Sequence, residues 1–350
     1  MENPVRIAFR FIAQGRKDGV FHLSKFNLIK YKYNLFAQYF LGGLCVSAGK
    51  SFSQTFAVIG LLLCVFNFTN CKSENPATQI DLSTREITDD LSKQIKLPAQ
   101  VERAVSLAPN LTEIAFAVGA GDKLVGVTSY CDYPLEAQKI RRIGDTMNPN
   151  IENIIALKPQ IVLVSTASQI ETFTKTLDEQ SIAVFVTNPN SLDDIYKSIF
   201  QIGEIFSREE KAGQIVDELK RRVAEVEVRT STAKVEKVFL QISKESLFTV
   251  GKDSFITDLI NRAGGISITS NISTAYLPIS KETALALNPD AIILSDSEDN
   301  REPSDVFKDS SAVKNGKVFR INADLISRPG PRIVDGLEQM ARALHPESFK

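Results

Sequence analysis

Tyr130, Asp132 and Tyr133 fall within four residues, in a segment SYCDYP that closes on a proline. Two phenol rings offer flat apolar faces with a polar rim, a surface suited to contact with a ligand. The competing reading has one ring packed on its own domain. Cys131 between them is either a small buried thiol or a ligand atom for a metal centre. A second constellation is a repeat: ENIIALKPQIVLVS, 152–165, aligns without a gap to ETALALNPDAIILS, 282–295. Each copy opens on a glutamate, Glu152 or Glu282, stops at a proline and leads into an apolar run. A carboxylate in a helix's first turn gains about 0.3–1 kcal/mol from the helix dipole, so these positions have a purely structural explanation.

Other chemistries are missing. Four cysteines and two histidines, His22 and His345 at opposite ends, supply no Cys/His metal constellation at a usual spacing. GAGDKL at 119–124 follows a helical pattern rather than a strand, so it is not a dinucleotide fingerprint. No GxSxG elbow, P-loop or paired nucleophile occurs, and no catalytic residue is assigned. A two-domain enzyme would have to draw its acid–base pair from Asp132 and Asp324. The chain is 43% hydrophobic and 24% charged, which excludes a wholly disordered, collagen-like or coiled-coil protein. Residues 1–50 carry eight Lys/Arg against two Asp/Glu, leaving 33 against 40 beyond them. That mildly acidic body argues against nucleic acid as a partner.

The elements that must hold these residues follow from periodicity. Strands are expected at 104–107, 124–128, 161–164 and 183–186, with helices at 111–118, 151–157 and 169–179 between them. This alternation predicts βα units and a mostly parallel sheet. Residues 192–228 hold no proline and only Gly203 and Gly213, with apolar residues at three-and-four spacing. An unbroken helix there would span about 55 Å and brace two halves; the alternative is two helices with a break near Ser207. The second half starts at KVEKVFLQIS, 234–243, and repeats the logic of the first. The fold class is thus α/β, two Rossmann-like lobes at 101–190 and 231–350 joined by a long rigid helix at 191–230.

Upstream, TFAVIGLLLCVFNF at 55–68 follows Lys50 and precedes polar NCKSENP. It is short of the roughly 20 residues of a membrane span and fits the apolar core of a secretory signal, placing a signal or lipoprotein segment at 51–71. Cys71 reads as the lipid-bearing cysteine, although Thr69 and Asn70 stand where small residues are usual. A cleaved soluble signal and an uncleaved anchor are the alternatives. Residues 1–50 are either a real extension or a start assigned too far upstream, and 72–100 reads as a polar tether.

From Val101 to the C-terminus, SLAPNLTEIAFAVGAGDKLVGVTSYCDYP, NPNIENIIALKPQIVLV, LFTVGKDSFITDLINRAGG and ADLISRPGPRIVDGLEQMARALHP resemble the substrate-binding proteins of ABC importers for cobalamin and iron chelates. SYCDYP and RPGPR look most like the cobalamin-binding branch. The resemblance implies a monomeric, non-catalytic, exported periplasmic protein, tethered by lipid, that takes cobalamin or a related corrinoid as transported ligand. Its partners would be an ABC permease and its ATPase in the inner membrane, with Glu152 and Glu282 docking onto permease arginines. It adds Phe248, Tyr276, Asp324 and Arg328 to the ligand contacts, with a structural Arg328–Asp324 salt bridge as the other reading of that pair. One departure stands out: the cobalamin binders line their pocket with tryptophans, whereas this chain has none. Thr146, Ser165 and Tyr276 occupy those places. A truncated corrinoid, another chelate or cobalamin held differently would accommodate the loss, and a ferric siderophore or haem is the alternative ligand. A protein of another class, an adhesin or scaffold, would bind no small molecule.

Overall fold

The computed structural model describes residues 84–166 and 171–350. The N-terminal extension, the signal segment and Cys71 lie outside the described residues. The chain enters as an antiparallel hairpin of β1 (Thr84–Thr88) and β2 (Gln94–Pro98), in which Ile87 faces Ile95. This corrects the polar tether expected at 72–100, since 84–98 belongs to the folded body. Ile87, Ile95 and Leu97 are buried while Glu86, Gln94 and Lys96 face outward. That two-residue alternation is what a strand with one wet face requires. The hairpin is fastened beside the first lobe: Asp90 N donates to Val186 O at 3.0 Å, and Lys197 Nζ reaches Asp90 Oδ1 at 2.8 Å.

The first lobe runs β3 (Ala104–Ser106), α1 (Pro109–Ala117), β4 (Leu124–Val127), α2 (Ile151–Ala156), β5 (Ile161–Ser165), α3 (Glu171–Glu179) and β6 (Ala183–Thr187). Its sheet is parallel, in the order β4-β3-β5-β6. Pro109 opens α1, where its missing N–H costs nothing, and Gly119 at φ 81° follows its end.

The connection is two helices, α4 (Leu192–Ile205) and α5 (Glu209–Thr230), not one. The break falls at 206–208, with Ser207 in the left-handed region at φ 54°. This corrects the unbroken 192–228 helix. Close packing is the reason: a Cβ on Gly203 would lie 2.5 Å from that of Ala212, so the glycine lets α4 and α5 fold back against each other. The 22 residues of α5 still form a rod of about 33 Å.

The second lobe runs β7 (Glu236–Gln241), β8 (Phe248–Val250), α6 (Phe255–Arg262), β9 (Gly265–Ser267), β10 (Tyr276–Pro278), α7 (Lys281–Leu287), β11 (Ala291–Asp296), α8 (Ser311–Lys314), β12 (Val318–Asn322), α9 (Ala323–Ser327) and α10 (Ile333–Leu344). Strands β8 and β10 form a small antiparallel ribbon. The main sheet is parallel in the order β9-β7-β11-β12. Both lobes therefore share one topology, with the first sheet strand flanked by the second and the third.

Side-chain alternation distributes the core. In β5, Ile161 and Leu163 join a large apolar cluster while Val162 and Val164 join a smaller one on the other face. In β11, Ala291 and Ile293 join the same large cluster while Ile292 and Leu294 face a third. The large cluster is continuous from Ile114 and Phe185 through Ile202, Val216 and Val223 to Leu240 and Leu337. The connecting helices thus form a core shared by both lobes, which is the physical content of a brace.

Candidate ligand site between the lobes

In open parallel sheets, ligands bind outside the carboxyl ends of the strands, where the strand order reverses. In the first lobe that edge carries the start of α1 and the loop 128–134 after β4. In the second it carries α9 and the RPGPR loop, 328–332, after β12. These two sets of loops meet. Arg328 Nη1 donates to Asp132 Oδ1 at 2.7 Å and to Glu113 Oε1 at 3.2 Å, and its Nη2 lies 2.9 Å from Asp324 Oδ1. Arg332 holds Glu113 with both prongs, Nε to Oε2 at 2.9 Å and Nη2 to Oε1 at 2.6 Å. The same guanidinium lies over the Tyr133 ring, 3.9 Å from its centroid. Asn110 Nδ2 donates to Pro329 O at 3.3 Å.

Two guanidinium groups thus face three carboxylates. The Glu113 side chain is 2% exposed and that of Arg328 8%, whereas that of Asp132 is 54% exposed and Tyr133 46%. Partial burial opposes ionisation of Asp132, but the hydrogen bond and charge of Arg328 outweigh it and hold the carboxyl below its usual range. Asp132 and Asp324, the pair an enzyme would need, share one arginine. A carboxyl held in its ionised form is a poor general acid.

Loop 128–134 is set by Arg142, whose Nη1 donates to Thr128 O at 2.7 Å and Cys131 O at 2.9 Å. Cys131 is fully buried, 3.2 Å from Thr128 Oγ1, and burial pushes its thiol up, which matches the small buried thiol rather than a metal ligand. Tyr130 is half-buried. Phe248 and Tyr276 stand on the β8–β10 ribbon, paired with Pro278 and Val250 respectively. Phe248 is buried and Tyr276 half-buried as a residue. Burial pushes the Tyr276 phenol up to about 12, against a hydrogen bond with Ser254. Of the tryptophan places, Thr146 is buried with its hydroxyl oxygen unpartnered, and Ser165 ends β5 half-buried.

The structure therefore brings Asp132, Tyr133, Asp324 and Arg328 together. Glu152 and Glu282 lie elsewhere, each the second residue of its helix and exposed. Their helices are capped alike: Asn150 accepts from Asn153 N at 2.8 Å and Ser280 from Thr283 N at 3.1 Å. Both units then turn through a left-handed residue before the proline, Lys158 at φ 49° and Asn288 at φ 36°. The Glu282 carboxyl sits below its usual range because it accepts from its own amide and from the Ser280 hydroxyl. Glu113, Arg332, Asn110 and Arg142 were not among the expected site residues.

Two α/β lobes sharing one topology are thus braced by helices and meet through strand-end loops, and comparisons with known proteins identify the family that has this architecture. The model of a family described as Periplasmic binding protein matches residues 105–325. An uncharacterized ABC transporter substrate-binding lipoprotein, YvrC of Bacillus subtilis (strain 168), is 34% identical over 307 residues, covering 83% of this chain and 96% of its own. A vitamin B12-binding protein of Vibrio cholerae is 28% identical over 249 residues, 71% of this chain and 90% of the relative. The crystal structure of the periplasmic vitamin B12 binding protein BtuF of Vibrio cholerae superimposes with a TM-score of 0.62 at 27% identity, over 71% of this chain and 98% of that one. The chain belongs to this periplasmic binding protein family, whose members are transport components and not enzymes.

Proposed function

We propose that this protein captures cobalamin or a related corrinoid between its lobes and hands it to an ABC permease driven by its ATPase. The observation that carries the reading is the inter-lobe cluster. Tyr133, backed by Arg332, offers an aromatic face, while the exposed carboxylate of Asp132 is held by Arg328. Such a surface pairs a flat apolar contact with hydrogen-bond acceptors for amides. Two guanidinium groups against three carboxylates give the cluster a net charge of −1. That balance disfavours a polyanionic ferric siderophore and tolerates an uncharged, amide-rich ligand. The likeness to vitamin B12-binding proteins over most of their length points the same way. Tyr130, Phe248 and Tyr276 complete the proposed contacts.

Glu152 and Glu282, exposed at matching places on two lobes of one topology, are proposed to dock on cationic residues of the permease, giving orientation and encounter rate more than affinity. Export through segment 51–71 and lipidation at Cys71 would place a monomeric protein in the periplasm, at the membrane surface. Uptake of labelled cyanocobalamin by cells lacking the gene, with and without the chain resupplied, tests the role. Restored uptake supports it, and unchanged uptake contradicts it. Competition by haem or a ferric siderophore would reassign the ligand within the family.

A further inference from the structure

Two neighbouring arginines on α5 bond in different directions. Arg221 donates to Glu218 at 2.8 and 2.9 Å and to Glu225 at 3.4 Å, all on its own helix, and its side chain is 61% exposed. Arg222 crosses to another helix. Its Nε donates to Glu338 Oε1 at 2.8 Å and its Nη2 to Asp335 Oδ1 at 2.7 Å, both on α10, with the side chain 25% exposed. Asp335 and Glu338 stand three residues apart and so share one face of α10, which lets a single guanidinium fork hold two carboxylates.

The importance of that hold lies in what α10 carries. The helix starts at Ile333, directly after Arg332, whose carbonyl accepts from Asp335 N at 3.0 Å. Asp335 is thus in the same turn as the arginine that binds Glu113 and lies over Tyr133. α9, which leads into Arg328, is locked to α10: a Cβ on Gly336 would lie 2.8 Å from Leu325 O and from Ile326 Cγ2. Ile333, Val334, Leu337, Met340 and Ala341 seat α10 on the large core cluster. Apolar burial is non-directional, so it fixes which face turns inward but resists a slide along the helix axis only weakly. Two charge-assisted hydrogen bonds of defined geometry supply that missing constraint.

We infer that Arg222 is a positioning residue of the ligand site: by holding the first turns of α10 from the brace, it sets where Arg332 stands and hence how the Tyr133 ring is seated. The inference rests on the ligand contact proposed above for Tyr133. It gives the brace a second role, since the placement of α5 is carried through α10 to the aromatic face.

Near-ultraviolet circular dichroism of the ligand-free protein tests the seating, because the chain has seven tyrosines and no tryptophan to mask them. The Tyr133 component is the difference between each protein and the same protein carrying Tyr133→Leu. Arg222→Met should lose most of that component, and Arg221→Met should keep it. The dissociation constant for cyanocobalamin should rise about tenfold in Arg222→Met and stay at the wild-type value in Arg221→Met. Arg222→Lys, which keeps the charge but cannot fork, should fall between wild type and Arg222→Met in both readouts. Should Arg222→Met fail to fold, Asp335→Asn, at a side chain 41% exposed, removes the charged partner nearest Arg332 and should shift both readouts the same way. Where wild type binds cyanocobalamin, either readout left unchanged in Arg222→Met, or both moved equally by Arg221→Met, would overturn the proposal and leave Arg222 a purely structural role. Absence of binding by wild type would contradict the ligand reading instead, and the dichroism alone then decides whether Arg222 seats Tyr133.

Discussion

Arg328 of the second lobe and Asp132 of the first meet at 2.7 Å, so the lobes are joined at their facing loops as well as through the helices behind them. Glu113 strengthens the junction, since it belongs to the first lobe and both arginines that hold it belong to the second. A wide hinge opening would strip a buried carboxylate of its partners. Motion between the lobes is therefore expected to be a few degrees rather than a large swing.

Glu113→Ala tests that junction. It leaves Arg328, 8% exposed, short of one partner and Arg332 without its bidentate one. Removing one side of a buried ion pair costs about 3–5 kcal/mol. The melting temperature should fall by about 10 °C in differential scanning calorimetry. A change within about 2 °C would show that the cluster contributes nothing to holding the lobes.

The pH dependence of the junction has a definite sign. Asp132 is held below its ordinary value, so its contribution is fully present above the unfolded carboxyl value, about 3.9, and is lost as pH falls through the depressed folded one. Urea midpoints of wild type and Asp132→Asn should differ by a constant from pH 8 to pH 5 and converge below about pH 4. Convergence already near pH 6 would mean that Arg328 does not depress this carboxyl.

Gly203 and Gly213 give a paired test of the helix connection. Gly203→Ala forces a Cβ to within 2.5 Å of Ala212, and overpacking of this kind costs about 1–3 kcal/mol. At Gly213 the nearest atom would be Phe200 Cε1 at 3.8 Å, so Gly213→Ala should gain about 0.5–1 kcal/mol from helix propensity alone. Chemical denaturation of the two variants should move in opposite directions. Equal effects would contradict the close crossing of α4 and α5.

The double variant Glu152→Ala, Glu282→Ala should abolish uptake and leave ligand affinity in solution unchanged, because both residues are exposed and lie apart from the inter-lobe cluster. Each single variant should retain partial uptake. Loss of ligand binding in the double variant would refute the docking assignment.

What the sequence disclosed follows from what is locally encoded. β5 and β11 were readable because each is an unbroken apolar run just past Pro159 or Pro289, as a strand buried on both faces must be. The hairpin was not, because four aliphatic residues among charged neighbours, one of them the exposed Leu91 of the turn, have the composition of a tether, and only the alternation of Ile87, Ile95 and Leu97 signals a strand. The break at Ser207 carries no glycine or proline of its own; the cause lies in the small pair Gly203 and Ala212, which matters only once the helices cross. Within the site, Arg328 and Asp324 are four residues apart and could be paired on paper. Glu113 and Arg332 are 219 positions apart and could not. A carboxylate on the buried face of α1 nevertheless demands a cation, and RPGPR supplies two.

Titration of the purified protein with cyanocobalamin, cobinamide and haem, followed through the chromophore, bears most directly on the idea that the lobes clasp a corrinoid. One-to-one binding of cyanocobalamin or cobinamide with a dissociation constant below about 1 μM, weakened by Tyr133→Ala, is the expected result. Saturable binding of haem with no spectral response to either corrinoid, or no response to any of the three, would contradict it.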